Sequence, residues 1–194
     1  MAQIFGEFID NLPESPEYLV IGFSPSSVPL KQRWRNNSLS ADFLADYITT
    51  FFPSSEENDE SKARQLDIKG AVNYIANELL ENAMKFNDEN SGETIGIGIH
   101  LRSDRIVFTA SNSVKPDCIE EFKAYLERLT NSEPQEMYIH QLEQNAADDN
   151  CTASRLGYLT TIVDYEAKLG WKFETVRGEE STVVMVTTMV QLAV

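Results

Sequence analysis

Apolar and polar positions change rhythm several times along this chain, and each rhythm predicts an element. Residues 17–25, EYLVIGFSP, are rich in β-formers and stop at Ser and Pro, which predicts a strand. In SLSADFLADYITTFFP, Phe43, Leu44, Tyr47 and Ile48 form an apolar stripe at helical spacing, with Ser40 placed to cap the helix and Pro53 to end it. The polar SSEENDESKARQ that follows reads as a solvated loop. From Asp67 to about Phe86 the pattern is strongly helical, with Val72, Ala76, Leu79, Ala83 and Phe86 stepping along one face. ETIGIGIHL and DRIVFTAS, joined through RSDR, predict a hairpin. CIEEFKAYLERLTN and PQEMYIHQLEQNA predict two helices, ADDNCTAS a loop, and RLGYLTTIVDYEAKLG a helix closed by Gly170. WKFETVRG and STVVMVTTMVQLAV then pair as a second hairpin around GEE.

Helices in the middle of the chain and hairpins after them predict an α+β fold, a two-layer α/β sandwich with helices over one face of a mixed, mainly antiparallel sheet. With 194 residues, 42% of them hydrophobic, the chain is long enough for one sizeable core and short for two. The expectation is a single domain: an N-terminal strand, helix and acidic loop over residues 1–66, then a core over 67–190.

Charge narrows the partners. A net charge of -15 opposes nucleic-acid binding, which depends on Lys and Arg neutralising phosphates, and it equally opposes an anionic membrane surface. A basic protein partner, or solubility alone, fits better. Cys118 and Cys151 form neither a CxxC nor a His-containing zinc spacing, so free thiols in a reducing cytosol are expected. The start of the chain has no basic stretch followed by an apolar one, and no apolar run reaches the roughly 18 residues of a membrane span, so a cytoplasmic location is expected.

Other chemistry is sparse. His100 and His140 have no neighbouring Cys or His that would build a metal site, and no P-loop, Rossmann or G-x-S-x-G pattern occurs. The glycines of GIGIH suit tight strand packing, the basic-aromatic KQRWR at 31–35 reads as a solvated loop with the option of a local anion or partner site, and Trp171 and Phe173 read as core or dimer-interface residues.

The stretch NELLENAMKF, residues 77–86, is different. At 100° per residue, Glu78, Asn82 and Lys85 fall within an arc of roughly 60°, a polar ridge beside the apolar stripe. A carboxylate that can take a proton, an amide oxygen that can hold magnesium and an ammonium that can meet phosphate suit a nucleotide site. The same ridge could be a solvated helix face with Glu81 and Lys85 as an ordinary ion pair, and spacing leaves both readings open.

NELLENAMKF resembles the N-box of the GHKL superfamily, the Bergerat-fold ATP-binding domains of histidine kinases, gyrase and the anti-sigma-factor serine kinases. The order of elements over roughly residues 68–190 resembles it too, and SRLGYLTTIVDYEAKLGWKFE looks like the second glycine box with its following helix. The segment from Phe108 to Ala146 is similar to the corresponding region of the SiaB-like bacterial kinases. The resemblance implies a Bergerat core over 67–190 that binds ATP and Mg2+. Glu78 would be the general base, Asn82 the magnesium ligand, and Lys85 would approach the phosphates. Asn112 would stand where the adenine-reading box begins, and Arg155 and Gly157 would lie in the lid. Two departures stand out: SNSVKPD replaces the Asp-x-Gly-x-Gly signature, and SRLGYL replaces a glycine-rich lid whose bare backbone would approach phosphates.

The implied function is a Ser/Thr protein kinase acting on a small regulatory protein in a bacterial partner-switching signalling pathway. The alternative is a catalytically inactive GHKL domain that regulates by binding, as antagonist rather than enzyme, with a homo-oligomer open to either.

Overall fold

The computed structural model describes residues 2–13, 15–24, 30–53, 59–147, 156–177 and 182–194, and the side chains of these except 30–36, 147 and 177. Six strands form one sheet: β1 (Gln3–Gly6), β2 (Tyr18–Phe23), β3 (Ile95–Leu101), β4 (Arg105–Ser113), β5 (Lys168–Arg177) and β6 (Thr182–Ala193). Their order is β1-β5-β6-β4-β3-β2, and each neighbouring pair is antiparallel. The helices are α1 (Leu30–Thr49), α2 (Asp59–Phe86), α3 (Ile119–Asn131), α4 (Pro134–Ala147) and α5 (Gly157–Val163), with a short 3-10 turn at Pro116–Cys118 before α3. The expected α+β arrangement of helices packed on a sheet is present; the sheet is antiparallel throughout its described pairings rather than mixed.

The period of two in the strands builds the inner face. Leu19, Ile99, Phe108, Val190 and Leu169 line up across five strands, and Ile21, Ile97, Ala110, Thr188, Trp171 and Phe5 form the next row across all six. On these rows lies α2, whose Ile68, Val72, Ile75, Ala76, Leu79 and Ala83 are buried. An antiparallel α1 covers α2, registered by Lys69 to Asp46 at 2.5 Å, Asn73 to Asp42 at 2.6 Å, and Gln65 Nε2 donating to the Phe52 carbonyl at 2.7 Å. Trp171 and Phe173 are core residues, 1% and 3% exposed.

The opposite face of the sheet is crossed by the chain between β1 and β2. Gln191 Nε2 donates to the Glu7 carbonyl at 2.6 Å, Lys172 meets Asp10 at 2.6 Å, and Ser15 Oγ donates to the Leu101 carbonyl. The strap runs so close to β5 that a β-carbon on Gly170 would stand 2.3 Å from the Phe8 nitrogen.

Several boundaries differ from the sequence pattern. KQRWR is helical backbone inside α1 rather than a loop, and Ser40 is interior rather than a cap: after Pro29 nothing breaks the helix until the end of α1. The second half of the acidic loop is likewise helix, because α2 begins at Asp59, where Asp59 and Glu60 complement the positive helix end. The helix expected up to Gly170 stops at Val163. Glu166 has φ of 52°, and from Lys168 onward the backbone pairs with β6, so Gly170 is a strand residue. Pairing with two neighbours outweighs local helical spacing there. The loop expected at 147–154, Cys151 with it, falls almost wholly outside the described residues; Cys118 is an exposed free thiol. No described helix is long and apolar enough to cross a membrane.

Candidate functional site

Where α2 passes over the middle of the sheet, the two surfaces enclose a cleft. Its floor is two adjacent cross-strand pairs, Ala110 with Thr188 and Asn112 with Val186. Leu79, Asn82, Ala83 and Phe86 of α2 form the roof, and Phe122 from α3 and Tyr158 from α5 close the sides. The interior leaves about 10 Å³ for the centres of water-sized spheres, room for about one water molecule.

The cleft brings Asn82 and Asn112 together. Asn112 is 5% exposed and its Nδ2 donates to the Ser113 carbonyl at 2.7 Å. Just beyond it, Asn87 Oδ1 accepts from the Ser113 hydroxyl at 2.8 Å and from the Ser113 N–H at 3.2 Å, which ties the end of β4 to the end of α2. The Asn82 amide, half-buried, makes no hydrogen bond among the described residues.

Glu78 lies one turn back along α2 and is brought together with Gly157. A β-carbon on Gly157 would stand 2.0 Å from Glu78 Oε2, so the first turn of α5 rests directly on the carboxylate. Burial pushes the Glu78 pKa above its usual 4.5, repulsion from Glu81 adds to the rise, and Lys85 opposes it. A carboxylate of this kind holds a proton more readily than a solvated one, which suits proton transfer.

Lys85 is exposed and does not line the cleft; its ammonium lies 5.4 Å from the centre of the Phe86 ring. Arg155 lies outside the described residues. His100 stacks on Tyr18, with burial and Arg102 lowering its pKa, and His140 contacts Gln144; among the described residues no group of three or more His, Cys, Asp or Glu could hold a metal.

Sequence reasoning missed Tyr158 as a wall of this site. Its ring meets Trp171 edge-on, centroids 5.3 Å apart at 73°. Burial raises the pKa of its phenol, Thr188 pulls it back, and the Glu78 charge adds a little to the rise. Thr188 and Val186 lie in the strand expected at STVVMVTTMVQLAV, though neither was singled out there as a site residue. Nothing in the local pattern of RLGYL shows which way Tyr158 points, because that depends on where α5 docks.

For magnesium and ATP the residues fit in chemistry and not in space. One amide oxygen suits magnesium only alongside phosphate oxygens and water, which is the usual set for that ion. A cleft with room for about one water, walled on one side by Tyr158, admits no base as it stands.

No family model matches this chain, and no curated protein matches it. Among solved structures it is similar to a chain of the crystal structure of the SiaB-SiaC complex from Pseudomonas aeruginosa, with a TM-score of 0.52 and 12% sequence identity, covering 91% of this chain and 89% of that one. At that identity the likeness is one of fold.

Proposed function

We propose that this chain is a GHKL-type regulator in a partner-switching pathway: it binds a small protein, and the cleft between α2 and the sheet is its nucleotide site. The observation that carries the reading is the pairing of a partly desolvated carboxylate, Glu78, with a cleft bordered by the buried Asn112 and by Asn82, whose amide makes no hydrogen bond among the described residues. The similarity of fold to a chain from a two-protein complex supports a protein partner. Only with the cleft opened wider than it stands would there be room for nucleotide; Asn82 would then be the residue to hold magnesium, an ion that offsets phosphate charge. Glu78 would accept the proton of a Ser or Thr hydroxyl on the partner, and Lys85, exposed beside it, would face the incoming anionic group.

A second reading, a binding module without turnover, is favoured by the closed cleft and by α5 resting on Glu78. Calorimetric titration with magnesium-ATP separates the two. The kinase reading expects binding in the millimolar range or tighter that is lost in Asn82→Ala. No heat at millimolar nucleotide, in the wild type and in a variant with the cleft opened, leaves the binding module as the function.

A further inference from the structure

We propose that Tyr158 occupies, from within the chain, the place in this cleft where a purine base would lie, so that the position of α5 decides whether a nucleotide enters. The inference rests on the nucleotide reading above and names the residue that sets what the site admits.

Three observations carry it. First, the tyrosine ring is planar, aromatic and able to hydrogen-bond at its tip, the same features that a base presents, and it stands among polar groups of a kind that a base needs. Asn82, Asn112 and Thr188 all border the same small space as Tyr158. Their side chains offer both donors and acceptors, more than one phenol can use. Secondly, the Asn82 amide borders the cleft, half-buried and without a hydrogen bond among the described residues, so its donor and acceptor are open to a ligand. Thirdly, the element that carries Tyr158 also covers Glu78, through Gly157. A single displacement of α5 would therefore clear the base position and the carboxylate together.

The helix that would move is small, seven residues, and packs more extensively against α4 than against α2 or β5. Thr160 lies beside the Tyr74 phenol, Tyr74 stacks on Tyr165 with centroids 5.1 Å apart, and Leu159 is buried beneath. A helix of this length has little intrinsic stability and keeps its place through such contacts.

The test compares wild type, Tyr158→Ala and Tyr158→Phe, each confirmed as folded by circular dichroism and a cooperative melt. Adenosine, magnesium-ATP and p-cresol, the side chain of tyrosine, are the probes. Removing the ring leaves a space that its own side-chain analogue can fill, and a ligand that binds only the folded state raises its melting temperature, so p-cresol should stabilise Tyr158→Ala alone. Adenosine should bind Tyr158→Ala at least about tenfold more tightly than wild type, and Tyr158→Phe, which keeps the ring, should behave as wild type. Equal nucleotide affinity in wild type and Tyr158→Ala overturns the proposal and leaves the nucleotide reading standing. Stabilisation of Tyr158→Ala by p-cresol with no binding of adenosine or magnesium-ATP overturns the nucleotide reading itself. If Tyr158→Ala does not fold, Tyr158→Leu is read by the same criteria.

Discussion

Gly157 and Glu78, 79 residues apart in the chain (157 − 78), are packed so closely that the glycine has no room for a side chain: its β-carbon would lie 2.0 Å from Glu78 Oε2. Half-buried carboxylate and helix start therefore hold one another in place. The contact gives position 157 a steric reason to be glycine that does not depend on any bound phosphate.

A double-mutant cycle should expose this contact. Gly157→Ala forces the carboxylate aside and is expected to cost about 1–2 kcal/mol by overpacking. In a Glu78→Ala background the clash is gone, and alanine's better helix propensity should make the same substitution neutral or stabilising. Urea unfolding of the four proteins measures the coupling; additive effects would mean that the two residues do not touch in solution.

The raised pKa of Glu78 has a signed consequence for stability. The folded state holds this proton more tightly than the unfolded chain does, so the ionised carboxylate opposes folding at pH values above its folded pKa. As pH falls through that value toward the usual 4.5, the opposition is relieved. Glu78→Gln should accordingly be more stable than wild type at neutral pH, with the difference closing below pH 4.5. Denaturation measured across this range checks it, and a gap that widens on acidification would reverse the assignment.

Two glycines should answer alanine in opposite ways. Gly70 is an exposed position in α2 where an added β-carbon would meet nothing within 4 Å, so Gly70→Ala should stabilise by about 0.5–1 kcal/mol. Gly170 faces the backbone of Phe8 at 2.3 Å, and a main chain held by Gln191 and Lys172 cannot swing away as a side chain can. Gly170→Ala should cost about 2 kcal/mol or more and loosen the strap, seen as faster amide exchange across residues 7–13.

Much of the fold was legible because burial leaves periodic marks. The stripe Val72, Ala76, Leu79 and Ala83 reports the buried face of α2, whereas Phe86, expected on the same stripe, is 45% exposed; β3, β4 and β6 stand as strands of the expected type, but in the middle of the sheet they are buried on both faces. The polar ridge was legible in part. Asn82 and Asn112 do meet at one cleft, and Glu78 does lie beside it, whereas Lys85 stays outside the lining.

What escaped depended on partners far along the chain. Four-residue β1 carries too short a pattern to read, and it exists because β5 offers it an edge. Helix α5 ends early because Lys168, Leu169 and Gly170 are taken up by β6. Local periodicity by itself determined which residues seek the interior and which elements they form, since that preference is carried within a few neighbours. Only the tertiary structure decided that Gly157 covers Glu78 and that Tyr158 borders one cleft with Asn82 while its ring meets Trp171, because both placements depend on the docking of α5 against residues that its own sequence does not encode.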